Sequence, residues 1–285
     1  MKLADYIDGV AHLGIIVPDV EKAIQFYVDN FGFTKVCSKL VIDAVDGPIN
    51  IGFVKLRDME LEVFTPYSIR NEIPSRKDGI LDHFAIDCGD VNKAYTDLCN
   101  KGLQLHKSTP DGIVYYNNLG CKGVIGVNFA GSFDEVVEVC SVGAKDYKGT
   151  DSLSGWSHLA IKVHDLERTL KFYERLGFRK CGDGYVDTEF GRLLIAFVVC
   201  HGFMLEIIQV CPALIDDLDK RGAGHIDHFA LNTTDVKEAF YHAKSEGFKV
   251  LNYVIKELSL FERGIAYFMI EGPDGEIIEI NQKNA

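Results

Sequence analysis

The sequence predicts an α+β fold built from four copies of a βαβββ unit. Three observations predict it. A short apolar strand carrying one histidine recurs four times. Each copy runs into an aspartate-capped amphipathic stretch that stops at a glycine. Beyond each glycine the hydrophobic period changes to two, and the last such run holds a glutamate between apolar residues.

The opening strands begin at His12, His83, His158 and His228, and the residue two further on is always small (Gly14, Ala85, Ala160, Ala230). Alternate strand residues share a face, so a small neighbour keeps that face open around the imidazole. Asp19, Asp90, Asp165 and Asp235 follow as helix N-caps, because a carboxylate there accepts the orphan amide hydrogens of the first turn. Gly32, Gly102, Gly177 and Gly247 end the helices about three turns later, where glycine suits a left-handed C′ position. Strands are expected over 49–56 and 60–65 in module one, and over 193–199 and 204–210 in module three. Runs 135–141 and 276–281 close modules two and four. Residues 143–155, rich in Gly, Ser, Asp and Lys, read as a linker, which gives two domains of two modules each, 1–147 and 148–285.

Composition narrows the function. With 30 Lys+Arg against 42 Asp+Glu the net charge is −12, which argues against a nucleic-acid binder. No apolar run has the length of a membrane span, and the first residues lack the apolar core of a signal peptide. The eight cysteines are scattered without a C-x-x-C pair, as expected for reduced thiols in a cytoplasmic protein. A small-molecule substrate is expected, bound by a monomer or homodimer, with neither nucleic acid nor membrane as partner.

The chemistry-bearing residues are the four histidines and the four strand glutamates Glu62, Glu138, Glu206 and Glu279. A carboxylate inside a β-branched run is costly unless it faces something that repays its desolvation. Two imidazoles with two carboxylates form an N/O ligand set suited to Zn, Ni, Co, Mn or Fe(II), with positions left for water or substrate. Among lesser signals, Arg70, Arg76, Lys77, Lys220 and Arg221 are loop cations able to meet an anion. His225 is expected in a loop or at the surface, and Trp156, Phe26-Tyr27 and Phe172-Tyr173 as packing residues.

These residues resemble the vicinal oxygen chelate superfamily, which includes glyoxalase I, methylmalonyl-CoA epimerase, extradiol dioxygenases and bleomycin-resistance proteins. The resemblance implies that paired modules curl into two U-shaped, cup-like mixed sheets with helices outside and a divalent metal in each cup. Carried over, the ligands are His12, Glu62, His83 and Glu138 in one half and His158, Glu206, His228 and Glu279 in the other. Modules pair as neighbours or in a swapped order, and either gives two complete sites. The family's logic implies a substrate that chelates through two oxygens and loses a proton next to its carbonyl. Glu138 and Glu279 are the candidate bases, with Glu62 and Glu206 across the cup. A glyoxalase-like lyase or an epimerase-like isomerase is therefore expected. The alternatives are an Fe(II) extradiol dioxygenase and a non-catalytic small-molecule binding protein. The glutathione contacts of glyoxalase I fall on Ile16, Pro66, Lys162 and Val210, of which only Lys162 is partly suited. Leu61–Pro66 and Leu218–His228 are similar to epimerase segments.

Overall fold

The long helix of each module starts where its aspartate caps it and stops where its glycine turns left-handed. The computed structural model describes residues 1–43, 47–120, 123–142 and 153–283. Module one is β1 (Ile7–Ile16), α1 (Val20–Phe31), β2 (Thr34–Asp43), β3 (Gly47–Leu56) and β4 (Met59–Pro66). Module two is β5 (Leu81–Cys88), α2 (Val91–Asn100), β6 (Val114–Tyr116), β7 (Val124–Ala130) and β8 (Val136–Val142). Module three is β9 (Leu153–Val163), α3 (Leu166–Arg175), β10 (Arg179–Thr188), β11 (Gly191–Cys200) and β12 (Phe203–Gln209), followed by the short α4 (Ile215–Leu218). Module four is β13 (Ile226–Thr233), α5 (Val236–Ser245), β14 (Lys249–Val250), β15 (Lys256–Leu258), β16 (Ile265–Glu271) and β17 (Ile277–Lys283).

The four aspartate carboxylates accept from the backbone amides of Lys22, Lys93, Arg168, and both Lys237 and Glu238. Gly32 takes φ 77°, and the other three stop glycines are also left-handed. An alanine there would be strained in a conformation that glycine adopts freely.

The chain forms two mixed sheets, and modules pair in the swapped order. One sheet runs β14-β16-β17-β13-β1-β4-β3-β2, with β15 beside β16, and joins modules one and four. The other runs β10-β11-β12-β9-β5-β8-β7-β6 and joins modules two and three. In every module the last strand lies parallel to the first, and first strands meet antiparallel at the module junctions β1–β13 and β5–β9. We call the one–four sheet cup A and the two–three sheet cup B. Each cup therefore draws strands from both 1–147 and 148–285. The boundary between those segments, and most of the linker, lie outside the described residues.

One continuous core packs the helices against both sheets. From α1 alone it takes Val20, Ala23, Ile24, Tyr27 and Phe31. Burying each of the large side chains contributes about 1.5–3 kcal/mol. Modules adjacent in sequence are also tied to each other outside the cups. The Tyr27 hydroxyl donates to Glu135, and that of Tyr173 to Glu276 at 2.9 Å. Both glutamates were expected to open the closing strands, but each sits in the turn before its strand. There its carboxylate also accepts amides of the same turn, from Ser132 and Phe133 or from Asp274. The described cysteines are all free, and no described helix is long and apolar enough to cross a membrane.

Candidate metal centres

Strand register explains how eight side chains separated in sequence meet in two groups. Residues directly opposite on neighbouring strands point to the same face. Ala160 lies between Glu206 on β12 and His83 on β5, and Ala85 between Glu138 on β8 and His158 on β9. Likewise Ala230 separates Glu279 from His12, and Gly14 separates Glu62 from His228. The small residue two positions after each histidine thus makes room for the paired module's imidazole. The resulting sets are His83, Glu138, His158 and Glu206 in cup B, and His12, Glu62, His228 and Glu279 in cup A. The grouping by sequence halves, one of the two pairings left open, is not adopted.

In cup B, His83, Glu138 and His158 bring one ligand atom each within 4.8 Å of one another, and the Glu206 carboxylate approaches both imidazoles. His83 Nε2 and His158 Nε2 face each other at 3.2 Å. The Glu138 Oε2 atom lies 3.4 Å from His83 Nε2 and 3.1 Å from His158 Nε2, and Glu206 Oε2 lies 3.4 and 3.3 Å from them. Four ligands about 2.1 Å from one tetrahedral ion lie roughly 3.4 Å apart, so these spacings fit a divalent cation. All four residues are buried. Gly126 makes space for Glu138, since a Cβ there would come within 2.2 Å of its Oε1.

The outer nitrogens of three of the four imidazoles are anchored, as is usual for metal-binding histidines, whereas His12 Nδ1 is buried with no partner among the described residues. His83 Nδ1 lies 3.1 Å from Asp82, which also binds Lys162 at 2.6 Å and Arg221 at 2.9 Å. His158 Nδ1 lies 3.2 Å from the Ser157 hydroxyl. In cup A the corresponding chain is His228 Nδ1–Asp227 at 3.2 Å and Asp227–Arg76 at 3.1 Å. The sequence reading missed Asp82 and Asp227, although an Asp-His pair opening modules two and four was a visible signal. Arg76 and Arg221 were read as possible anion contacts; instead they hold these two aspartates. His225 is in a loop, as expected, but buried, its carbonyl accepting from Ile16. Trp156 packs edge-on against Phe203.

In cup A, His12, His228 and Glu279 bring one ligand atom each within 4.8 Å of one another, and the two carboxylates sit differently. His12 Nε2 lies 2.9 Å from Glu62 and 3.3 Å from His228 Nε2, but 3.8 Å from Glu279. Glu279 Oε1 instead accepts from Asn281 at 2.9 Å. The titration directions follow. Burial opposes the charged form of every ligand glutamate, but the imidazoles more than offset it at Glu62, held down at about 2, and hold Glu138 and Glu206 below the carboxylate range. At Glu279 burial prevails, helped by Glu62, and its pKa is raised. Burial also opposes charge on His83 and His228, yet Asp82 or Asp227 together with the ligand glutamates holds both pKa values well above the usual imidazole.

The two cups differ above the ligands. Cup B opens into a cavity of about 620 Å³, walled by Leu119, Leu193, Ile195, Phe197 and Met204, with Lys162, Ser108 and Asn128 among its polar residues. The concave face of cup A is packed instead. Phe53 meets His12 edge-on, Phe261 packs on Phe53 at 5.2 Å, and Leu258 and Leu260 are buried with Ile49, Ile51 and Tyr267.

The architecture is that of paired βαβββ modules forming two cups, and comparisons with known proteins agree. A family model for the Glyoxalase/Bleomycin resistance protein/Dioxygenase superfamily matches residues 155–280, and a second with the same description matches residues 11–116. The chain belongs to this superfamily. Over 126 residues it is 30% identical to the uncharacterized protein YwbC of Bacillus subtilis (strain 168), a match spanning 44% of this chain and 95% of YwbC. Its fold is similar to that of glyoxalase I from Zea mays, with a TM-score of 0.65 and 19% identity over 96% of this chain and 92% of that one. It is also similar to that of a putative dioxygenase from Bacillus subtilis subsp. subtilis str. 168, with a TM-score of 0.65 and 14% identity over 98% of this chain and 86% of that one.

Proposed function

We propose that the chain is a metal-dependent lyase or isomerase of the glyoxalase type, and that cup B is where it acts on a small substrate with two vicinal oxygens. One observation carries this reading: buried ligand atoms of His83, Glu138 and His158 gather within 4.8 Å of one another, with the Glu206 carboxylate beside both imidazoles, in a largely apolar cavity of about 620 Å³. Such a concave apolar site with a few convergent polar groups is the usual form of a small-molecule site. His83, Glu138, His158 and Glu206 would hold the ion in cup B, and His12, Glu62, His228 and Glu279 a second one in cup A. When bound, a divalent ion supplies Lewis-acid stabilisation of the charge left on the substrate oxygens after proton loss.

The protein's own groups do the rest. The apolar walls exclude water from the reacting carbon. Either ligand carboxylate, Glu138 or Glu206, would accept the proton there once it lets go of the ion. With one carboxylate on each side, a proton taken by one oxygen can be returned by the other, which is isomerase chemistry. Glu138 is the base in this assignment. Glu279 holds the equivalent register position in cup A, beneath the Phe53–Phe261 packing.

The test is proton exchange in D2O, followed by NMR, with nickel-, zinc- or cobalt-loaded protein. The probes are 2-oxoaldehyde hemithioacetals, acyl-CoA epimers and keto-sugars, with catechols as the contrasting class. Deuterium at the carbon next to the carbonyl is expected, and its loss in Glu138→Gln. Oxygen uptake with a catechol overturns the proposal in favour of ring cleavage.

A further inference from the structure

We infer that Asn128 is a specificity residue that selects substrates carrying a hydroxyl or N–H donor beside their chelating oxygens; this rests on cup B being the reaction site. The strand residue directly opposite each ligand glutamate is Phe53 for Glu62, Phe197 for Glu206 and Met269 for Glu279, but Asn128 for Glu138. Three modules place an apolar side chain at this register position. Module two, whose strands help to line the open cavity, places an amide there.

The amide is held in one sense by a directed chain of hydrogen bonds. The Ser108 backbone N–H donates to His106 Nδ1 at 3.3 Å, so that nitrogen is an acceptor. Burial lowers the His106 pKa, in keeping with a neutral ring. The Ser108 hydroxyl, 2.7 Å from the same Nδ1, therefore donates to it. Its oxygen then accepts from Asn128 Nδ2 at 2.7 Å. The polarity of the chain leaves Oδ1 as the free end of Asn128, an acceptor. That atom is buried and has no partner among the described residues. The backbone of Asn128 is fixed as well, its N–H donating to the Thr109 hydroxyl at 2.8 Å and its carbonyl accepting from His106 at 2.8 Å. A rigidly held, unpaired acceptor beside the cavity favours a ligand that donates to it over one that leaves it as it was.

The experiment compares two hydroxamates, each with a phenyl group for the apolar wall and vicinal oxygens for the metal. Mandelohydroxamic acid carries one hydroxyl that phenylacetohydroxamic acid lacks. Binding to cobalt-loaded protein is read by calorimetry and by the cobalt absorption band. The wild type is expected to prefer the hydroxylated probe by about tenfold, the ratio for one net hydrogen bond. Asn128→Leu should lose that preference while keeping its affinity for phenylacetohydroxamate. Ser108→Ala, which frees the amide to turn over, should weaken the preference too, and it decides the matter if Asn128→Leu fails to fold. Equal affinities in the wild type, or a preference unchanged in both variants, overturn the role of Asn128 and leave the chelating site standing. If neither probe binds the wild type, the reading of cup B itself falls, and the inference with it.

Discussion

Gly14 lies directly across from His228, and a Cβ at Gly14 would stand 2.1 Å from the imidazole Cε1. The ring occupies the volume that any other residue would fill. Gly14→Ala must therefore move His228 or the backbone, a strain of about 1–3 kcal/mol for overpacking a close-packed site. The variant is expected to unfold at lower temperature and to hold about one equivalent of metal less than the wild type, because cup B is untouched. Elemental analysis of the purified variant with a thermal melt checks both outcomes.

Gly126→Ala is the counterpart in cup B. Its Cβ would meet the Glu138 carboxylate, the ligand assigned as base. Here metal retention in cup A should accompany loss of turnover. Activity and metal content measured on the two glycine variants separate the cups without altering any ligand.

The module count, the helix caps and the four His and four Glu positions that gather in the two cups could be read from the sequence because each recurs four times at fixed spacing. Repetition turns a weak single signal, such as a glutamate among β-branched residues, into a strong one. The pairing of modules could not be read, since all four units carry the same His and Glu positions and either order completes two sets. What decides between the orders is three-dimensional: β1 meets β13 and β5 meets β9. The inequality of the cups was hidden for a related reason. It depends on residues outside the repeat pattern, namely Leu258, Leu260 and Phe261 over cup A, and Asn128 with Ser108 beside the cavity of cup B.

Stripping metal should destabilise the protein. Each set gathers two carboxylates and two imidazoles in a buried place, and an ion that binds only the folded chain stabilises it by RT ln(1 + [L]/Kd), about 2.7 kcal/mol at a hundredfold excess over Kd. Treatment with a chelator is expected to lower the melting temperature by several degrees, and nickel, cobalt or zinc to restore it in a concentration-dependent way. Differential scanning calorimetry across a metal titration measures this; a melting temperature indifferent to metal speaks against both sites.

Glu276 gives stability a pH dependence away from the metal ligands. Burial raises its pKa to about 7, partly offset by hydrogen bonds including that from Tyr173. The folded state thus holds this proton more tightly than the unfolded chain, where a glutamate titrates near its ordinary value. Stability from this group is full below that value and falls as the pH rises towards about 7. From the size of the shift the loss is about 3 kcal/mol at most. Glu276→Gln has no proton to lose, so its unfolding free energy should decline less than the wild type's between roughly pH 5 and 8. Urea titrations over that range give the slope; parallel curves for the two proteins would rule out the assignment.

Glu138 and Glu279 hold equivalent register positions in their modules, and their glutamine variants should nonetheless differ. Glu138 lines the cavity, lies within 3.4 Å of both imidazole Nε2 atoms and is held ionised. Glu279 is 3.8 Å from the His12 imidazole, is held by Asn281, has a raised pKa, and its cup is packed by Phe53 and Phe261. Removing a positioned general base costs at least ~10²-fold in rate. Glu138→Gln is therefore expected to lower turnover by that factor with little change in KM, while Glu279→Gln leaves turnover unchanged. Metal content measured on both variants separates loss of the base from loss of the ion. If Glu279→Gln is the slow variant and Glu138→Gln is not, the reaction belongs to cup A, and the segment carrying Leu258 to Phe261 must then move to admit the substrate.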